Sequence, residues 1–425
     1  MTAVLFALCC ANAGAATVSV TEEPGNKGPA AVYASYEAAA GESNDLTVTR
    51  DRSGLTFGDA RAAVQAGRGC VQLDPHRARC AIDDARVNLG DGDDRARTPV
   101  GFLDGGEGAD VLDGAWSAGG AGDDVVRGGR GGDALSGGPG RDVVMGREGD
   151  DQLTEGDADR DRIDGGPGLD ELNVDAETAL IDIPRGIALA GAEDTLTAVE
   201  GAVALGGGTF LGDARRNSFR AFGVAQLRGG AGSDTLTAES RGRDVVDGGS
   251  GNDDLHLVDP EAEWPALPVR DAVRCGPGRD TLADPAPNTL IPVDCEVTTG
   301  GGGPRVELPG SDPRAPLATL TWSGSCHDSD TEARGCRLRA SVSLAQWPDR
   351  AKEPTHGAAL GSVTGRLDPR RRRLEVRANA RGRRLLRGGR CTTALITIPL
   401  EGYDESFDGL FRFGRRCRAP APLGP

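Results

Sequence analysis

The sequence predicts an all-β protein whose central region is a solenoid of short strands. Three observations lead to this fold class. A nine-residue glycine–aspartate repeat runs through the middle of the chain. Glycine accounts for 65 of the 425 residues, about twice its usual share in soluble proteins. Both flanking regions alternate apolar and polar residues in short runs bounded by Gly or Asp, as strands do. Aromatic residues make up only 4% of the chain, which argues against one large aromatic-rich core.

The charge is concentrated in the same central region. The chain carries 48 Lys and Arg against 65 Asp and Glu, a formal net charge of −17. Residues 81–300 hold 19 basic and 44 acidic side chains, whereas residues 301–425 hold 22 and 13. So acidic a chain disfavours binding to nucleic acid through bulk charge. No stretch after the N-terminus approaches the roughly 18 apolar residues of a membrane span. We therefore expect neither a nucleic-acid partner nor membrane insertion.

The first sixteen residues, MTAVLFALCCANAGAA, resemble a secretory signal. An apolar run from Ala3 to Ala11 is followed by small residues, with cleavage expected near Ala15 or Ala16, although no Lys or Arg precedes the run. A buried N-terminal strand is the alternative interpretation. The predicted location is extracellular or at the cell surface.

Cysteine usage supports export independently. Beyond residue 16 the chain has eight cysteines, and none shows CxxC or His-paired metal spacing, so disulfides are favoured over a zinc site. Local spacing favours Cys70–Cys80, Cys275–Cys295 and Cys326–Cys336, which leaves Cys391 with Cys417. The pairing among the last four cysteines stays open at this point.

The repeat has the form G-G-x-G-x-D. From Gly119 to Thr154 four nonapeptides follow one another without interruption, and an aliphatic residue stands two positions after each Asp. Full matches end at Asp110, Asp124, Asp133, Asp142, Asp170, Asp234 and Asp253; near matches end at Asp94, Asp151 and Asp280; degenerate units contain Asp161 and Asp244.

This spacing suits a hard cation. Glycine permits positive φ and close backbone approach, so a six-residue turn can direct its carbonyls inward. The Asp that ends each turn adds a carboxylate, and Ca²⁺ takes about 6–8 such oxygen ligands. Magnesium fits all-protein carbonyl cages poorly. A flexible or disordered acidic tract is the alternative, but composition alone does not hold Gly, Asp and aliphatic residues in fixed phase. We predict several calcium ions, with the twelve aspartates named above as ligands.

Over residues 89–173 and 227–296 the chain resembles the RTX (repeats-in-toxin), or haemolysin-type, calcium-binding repeat family. The resemblance implies a right-handed parallel β-roll in which alternate repeats turn on opposite sides and calcium lies between turns i and i+2. Asp124 would then stack with Asp142, and Asp133 with Asp151. The segment VRCGPGRDTLADPAPNTLIPVDCEV resembles a tail of exported actinobacterial relatives, in which Cys275 and Cys295 would staple the last coil.

The remaining segments are assigned from their composition. Residues 174–226 keep strand-sized apolar pieces but lose the Asp phase, with Asn217 in place of the turn Asp. They are interpreted as uncalcified coils, with a separate globular insert as the alternative. The predicted organisation is a signal peptide (1–16), an N-terminal β cap (17–84), β-roll block 1 (85–173), the uncalcified coils (174–226), β-roll block 2 (227–299), a Gly/Pro linker (300–316), an Arg-rich β-sandwich-like domain (317–418) and a tail (419–425).

Two clusters of arginine stand out in the predicted sandwich domain. We expect Arg370–Arg373 and Arg381–Arg390 to form solvated strand edges and a turn. Contact with an anionic wall polymer or with the acidic roll is the alternative.

No catalytic motif accompanies the repeat. The chain lacks H-E-x-x-H and G-x-S-x-G, and its four histidines, His76, His256, His327 and His356, lie far apart. We predict a non-enzymatic, secreted or cell-surface calcium-binding protein with a structural or adhesive role, whose partners are calcium ions and extracellular or cell-wall polymers. A secreted hydrolase that uses the roll as a folding module is the alternative, and a polar cleft with convergent His or carboxylate groups would favour it.

Overall fold

A computed structural model describes most of the chain up to residue 283 and the strands and one helix beyond it. Residues 1–13 of the predicted signal and the tail 419–425 lie outside the described part. The described ranges are 14–24, 30–190, 192–240, 242–258, 271–283, 290–291, 295–298, 305–307, 318–321, 336–346, 355–367, 373–388, 392–399 and 406–413.

The chain divides into two compact units. The first contains Met1–Asp175 and Gly186–Val199, and the second contains Ala176–Arg185 and Glu200–Pro425. Short strands dominate both units, and long parallel sheets make the centre of the protein a β-roll. The predicted fold class is therefore confirmed.

The first unit begins with a cap of antiparallel strands. Tyr36 and Phe57 stack in its core with ring centroids 6.1 Å apart, and both rings are fully buried. The cap joins the roll directly, because two of its strands pair in parallel with the first two strands of the roll. A solenoid needs such a terminal cap to cover its open core. The strands of the cap are Ala16–Glu23, Ala31–Glu37, Asp45–Asp51, Gly54–Asp59, Val64–Ala66, Cys70–Asp74 and Arg77–Cys80.

The roll of the first unit alternates between two parallel sheets, which we call sheet A and sheet B. Sheet A contains Ala85–Asn88, Phe102–Glu107, Trp116–Ala121, Ala134–Ser136, Gln152–Glu155 and Glu171–Val174. Sheet B contains Arg95–Arg97, Val111–Asp113, Val125–Arg127, Val143–Met145, Arg162–Asp164 and Glu193–Thr197, and Ile187–Leu189 pairs antiparallel with the last of these.

The core of this roll is a thin aliphatic stack. Each three-residue strand points its middle side chain inward, since side chains alternate along a strand. Val126, Leu135, Val144 and Leu153 are at most 2% exposed. The aliphatic residue that follows each turn Asp by two positions therefore fills the core, as its phase predicts.

The second unit continues with parallel coils. Phe210 and Phe219 pack inside them with centroids 5.7 Å apart. The predicted interpretation of residues 174–226 as solenoid coils agrees with the parallel pairing of Thr178–Asp182 with Gly207–Leu211. The strands are Thr178–Asp182, Gly201–Ala204, Gly207–Leu211, Ser218–Ala221, Ala225–Arg228, Ala231–Gly232, Thr235–Glu239, Val245–Asp247, Ser250–Gly251, Asp254–Val258, Ala272–Arg274 and Thr281–Ala283, and the 3-10 helix is Ile183–Arg185.

Longer antiparallel strands follow the coils. One sheet contains Leu290–Ile291, Cys336–Gln346, Thr355–Leu367, Thr392–Pro399 and Ser406–Phe413. A second group, Glu296–Thr298, Arg305–Glu307, Ala318–Thr321 and Arg373–Val376, pairs as an antiparallel ladder.

The arginine string after residue 380 corrects one prediction. We expected a strand edge and turn over Arg381–Arg390, but Ala380–Gly388 is an α-helix. Its first turn is capped by Asn379, whose Oδ1 accepts a hydrogen bond from the Gly382 N–H at 2.9 Å, and an N-cap of this kind starts a helix. Among the described residues, no helix is long and apolar enough to cross a membrane.

Candidate calcium ladders

The turn aspartates of the first unit form a continuous row along one edge of the roll. In this row the Oδ1 atom of each Asp accepts the backbone N–H of the residue one coil earlier. We call it the long ladder. Its bonds run from Asn44 to Asp94 (2.6 Å), Asp94 to Asp110 (2.8 Å), Asp110 to Asp124 (2.7 Å), Asp124 to Asp142 (2.8 Å), Asp142 to Asp161 (2.8 Å) and Asp161 to Asp194 (3.0 Å).

The opposite edge carries a shorter row. There Asp133 N–H donates to Asp151 Oδ1, and Asp151 N–H donates to Asp170 Oδ1, both at 2.9 Å. We call this row the short ladder. The stacking of Asp124 on Asp142 and of Asp133 on Asp151, expected from the family resemblance, is confirmed.

The second unit repeats the arrangement on a smaller scale. One row, the Asn217 ladder, joins Asn217, Asp234, Asp253 and Asp280 through bonds of 2.7, 2.9 and 2.9 Å. The other row, the Ala225 ladder, joins Ala225, Asp244 and Asp271 through bonds of 2.8 and 3.1 Å. All twelve predicted aspartates therefore lie in a ladder.

The second carboxylate oxygen is the atom available to a metal ion. Gly119 illustrates its surroundings, since a Cβ at that position would overlap both Asp124 Oδ2 and the Gly137 carbonyl oxygen. Carboxylate and carbonyl oxygens thus converge on one point where only glycine fits. Eight ladder aspartates have a buried Oδ2 with no hydrogen-bond donor: Asp94, Asp110, Asp124, Asp142, Asp151, Asp194, Asp234 and Asp253.

Burial makes these carboxylates hard to ionise without a cation. Burial, together with neighbouring carboxylates of the long ladder, raises the pKa of Asp110 and of Asp142 to about 7. Burial likewise raises the pKa of Asp94, Asp194 and Asp234 to about 6. Buried acceptors that lack donors and repel one another fit a hard divalent ion, and oxygen-only donor sets of this kind suit Ca²⁺.

Comparison with known families agrees with this chemistry. The family model of the RTX calcium-binding nonapeptide repeat matches residues 102–117, 118–153 and 223–255, in four copies. The central roll therefore carries RTX calcium-binding repeats. The matched segments contain turns of the long, short and Asn217 ladders, so the repeats of this calcium-binding family coincide with the ladders. No curated protein matches the chain significantly.

Three of the predicted ligands, Asp133, Asp161 and Asp244, make a further hydrogen bond with the protein besides the bonds of the ladder. Asp133 Oδ2 accepts the N–H of Gly129 in its own turn. Asp244 Oδ2 accepts the Ser240 hydroxyl at 2.8 Å. Asp161 shares a hydrogen bond with the Glu155 side chain. In each of these turns a protein donor already engages the carboxylate.

Arg147 contacts the turn that ends at Asp133, the first rung of the short ladder. Its guanidinium donates to the Gly128 carbonyl oxygen at 2.8 Å and to Asp113 Oδ1 at 3.0 Å. Arg147 occupies the second position of its turn with φ at 77°, whereas the corresponding Gly138 of the preceding turn has φ at 99°. A left-handed conformation is unfavourable for arginine, so tertiary contacts must hold it there.

Two ladders begin at an asparagine rather than an aspartate. Asn44 Nδ2 donates to Asp59 Oδ2 at 2.9 Å, which ties the long ladder to the cap. Burial acts to raise the pKa of Asp59, but N–H donors from Ala62 and Arg61 outweigh it and lower that pKa. Asn217 Oδ1 accepts the N–H of Asp213 at 2.9 Å, so this amide closes its own turn. Its predicted departure from the ligand pattern therefore agrees with the structure.

Sequence reasoning missed two rungs. Asp194 is the last described rung of the long ladder, and Asp271 is the last described rung of the Ala225 ladder. The prediction that residues 174–226 lose the Asp phase is wrong at Asp194. The available signal was the aliphatic residue two positions later, Leu196 or Val273, which points inward as in the regular repeats. The irregular glycine spacing before these aspartates hid them.

Sequence reasoning also missed a cluster of carboxylates where the register is interrupted. Side-chain oxygens of Glu155, Asp161 and Asp194 lie within 4.8 Å of one another, as do those of Asp142, Asp157 and Asp161. Burial and the hydrogen bond to Asp161 raise the pKa of Glu155. The ten-residue spacing between Asp151 and Asp161 places these extra acids beside the long ladder.

Two predicted disulfides are confirmed. Cys70 bonds Cys80 in the cap, and Cys275, the first residue of the turn that ends at Asp280, bonds Cys295. Cys326, Cys391 and Cys417, and the side chain of Cys336, lie outside the described residues.

Proposed function

We propose that this RTX repeat protein is exported and non-enzymatic, that its roll folds on binding calcium, and that it acts structurally or adhesively outside the cell. The row of buried carboxylates in the long ladder carries the proposal. Like charges stacked one coil apart disfavour the folded state at neutral pH unless protons or cations neutralise them. Binding to the folded state alone then stabilises it by mass action.

Residues of the chain orient the carboxylates that would bind the ion. Backbone N–H groups hold each Oδ1, so every carboxylate is oriented before an ion arrives. Asp110, Asp124, Asp142 and the facing turn carbonyls would hold calcium, which supplies the positive charge that the ladder lacks. Because the cation binds the folded state and not the unfolded state, its binding free energy contributes to the free energy of folding.

Export is supported by the two disulfides and by the signal-like segment. Disulfides form and persist in oxidising compartments outside the cytosol. An adhesive role is supported by the closed cap and by the basic residues beyond the roll, whose positive balance contrasts with the acidic centre.

The hydrolase alternative lacks support among the described side chains. His76 Nδ1 lies 2.7 Å from the Ala62 carbonyl oxygen, and His256 Nε2 lies 3.2 Å from Asp254 Oδ2. His76 belongs to the first unit and His256 to the second. An activity screen of the calcium-loaded chain against ester, peptide and glycoside substrates would revive that alternative if it found turnover.

Calcium-driven folding is tested on the full chain. Far-ultraviolet circular dichroism in EGTA, followed by millimolar CaCl₂, should show a large gain of β structure, and equimolar MgCl₂ should produce much less. Identical spectra in EGTA and calcium would contradict the proposal. Export is tested separately, by protease accessibility of the protein on intact source cells and by its presence in culture medium.

A further inference from the structure

A shallow groove lies on the outer face of sheet A in the first unit. Its volume is about 530 Å³, and its lining includes Tyr33, Glu37, Asn88, Phe102, Asp104 and Trp116. The groove crosses the strand Ala31–Glu37 of the cap and the first three strands of the roll in sheet A. None of these side chains belongs to the calcium ladders.

Two aromatic rings form one row of the groove. Phe102 and Trp116 are register partners on adjacent parallel strands, 40% and 59% exposed. The next strands carry Ala134 and Gln152 at the equivalent positions. In a chain with so few aromatic residues, two neighbouring exposed rings are a local feature of these coils, and exposed apolar patches mark interaction sites.

Polar acceptors form a second row beside the rings. Asn88 pairs in register with both Glu37 and Asp104. Asp104 lies two residues after Phe102 on the same strand, so this polar row runs parallel to the row of rings. Side chains two residues apart share one face of a sheet. Burial, and then the nearby Glu37 carboxylate, raise the pKa of Asp104.

The groove is acidic rather than basic. Its one arginine, Arg86, lies 4.3 Å over the Tyr33 ring and 2.8 Å from Glu23 Oε1, so its charge is already compensated. Glu37 and Asp104 have no such cation among the ion pairs of the described residues. An anionic ligand such as a polyuronate or a nucleic acid would meet like charge here.

We propose that this groove binds a linear, uncharged polysaccharide. The apolar faces of its sugar rings would pack on Phe102 and Trp116, since C–H groups favour the electron-rich face of an aromatic ring. Sugar hydroxyls would donate to Glu37 and Asp104 and exchange hydrogen bonds with the Asn88 amide. The inference extends the proposed adhesive function, for which it names the partner.

Calcium should control this groove through the coils that build it. The strand Phe102–Glu107 runs into the turn that ends at Asp110, and Trp116–Ala121 runs into the turn that ends at Asp124. Both aromatic residues therefore stand at one end of strands whose other end enters the long ladder. Glycan binding should be lost in EGTA.

The test uses the full chain in millimolar CaCl₂ with soluble probes. Cellohexaose and fully N-acetylated chitohexaose are titrated by calorimetry and by tryptophan fluorescence, with hexagalacturonate as the charged comparison. We expect at least one neutral hexasaccharide to bind and hexagalacturonate not to bind. Trp116→Ala and Phe102→Ala should each weaken binding by about tenfold, or about 1.4 kcal/mol.

Phe222→Ala is the matched control. Phe222 is also 40% exposed and lies beneath an arginine, with Arg220 at 4.7 Å, but it belongs to the second unit. This variant should bind the glycan like the unchanged chain. The calcium midpoint of Trp116→Ala should also stay unchanged, because the ring is on the outer face.

Several outcomes would overturn the inference. These are the absence of binding to both neutral probes, preferential binding of hexagalacturonate, and unchanged affinity in Trp116→Ala. Self-association that Trp116→Ala abolishes in analytical ultracentrifugation would assign the groove to a second copy instead. Failure here leaves the calcium-induced gain of β structure intact, so it is distinguishable from failure of the proposed function.

Discussion

The two edges of the first-unit roll are built from one repeat and differ in what closes them. On the long ladder, Asp110, Asp124 and Asp142 each keep a buried Oδ2 without a donor. On the short ladder, the first rung is closed by the protein, because Gly129 N–H donates to Asp133 and Arg147 occupies the Gly128 carbonyl.

The difference shows that the motif alone does not make equivalent sites. Asp133 ends a full G-G-x-G-x-D match, yet Arg147, one nonapeptide plus five residues later, places a guanidinium beside its turn. The positive charge of Arg147 acts to lower the pKa of Asp133, opposing the effect of burial. At this rung the protein itself therefore supplies a hydrogen-bond donor and a positive charge.

Matched substitutions on the two ladders compare the edges directly. Asp142→Asn keeps the Oδ1 acceptor for the Asp124 N–H but removes a carboxylate from the long ladder. We expect its calcium midpoint, followed by circular dichroism, to rise about tenfold, equivalent to about 1.4 kcal/mol. Asp133→Asn is the matched variant on the short ladder and should shift the midpoint by less than about twofold, since its Oδ2 already has a donor. Equal shifts in the two variants would remove the distinction between the edges.

Removing the guanidinium of Arg147 should make the two edges bind calcium more equally. Arg147→Gly restores the residue that suits positive φ and frees the Gly128 carbonyl. We expect the calcium content after equilibrium dialysis to rise by about one ion per chain. Arg130→Gly is the control. Arg130 lies in the turn that ends at Asp133, but its side chain is 89% exposed, and its Nε lies as far as 3.9 Å from Glu148 Oε2. Unchanged stoichiometry in Arg147→Gly would show that the guanidinium does not exclude an ion.

The pH dependence of the apo protein tests the same carboxylates without calcium. The folded-state pKa values of Asp110 and Asp142 are raised to about 7, so the folded state binds more protons than the unfolded state. The free energy of unfolding in EGTA should therefore be highest below about pH 4 and fall as pH rises through 7.

Calcium should reverse this pH trend. The ligands must be deprotonated to bind the ion, so stability in saturating CaCl₂ should increase with pH over the same range. Thermal melts at pH 5 and pH 8, each in EGTA and in calcium, give the comparison. A melting temperature in EGTA that rises with pH would contradict the assignment of raised pKa values to the long ladder.

Much of the roll could be predicted from the repeat. The phase of Asp and aliphatic residues placed Val126 and Val144 in the core and Asp124 beside Asp142, because the turn and the strand are local structures. The rungs at Asp194 and Asp271 were not predicted, since intervening segments of irregular length bring them into line only in space. The helix Ala380–Gly388 was missed because it is only nine residues long and lies among segments with the apolar–polar alternation of strands.

The nonapeptide repeat is sufficient to predict a roll of thin coils with glycine turns and acidic edges. Every nonapeptide carries its own turn geometry and inward side chain, so the information is local and repeated. Contacts between coils determine which buried carboxylate oxygens lack a hydrogen-bond donor and where the groove forms. The donors that close Asp133, Asp161 and Asp244, and the strands that bring Phe102 beside Trp116, come together through pairing between coils.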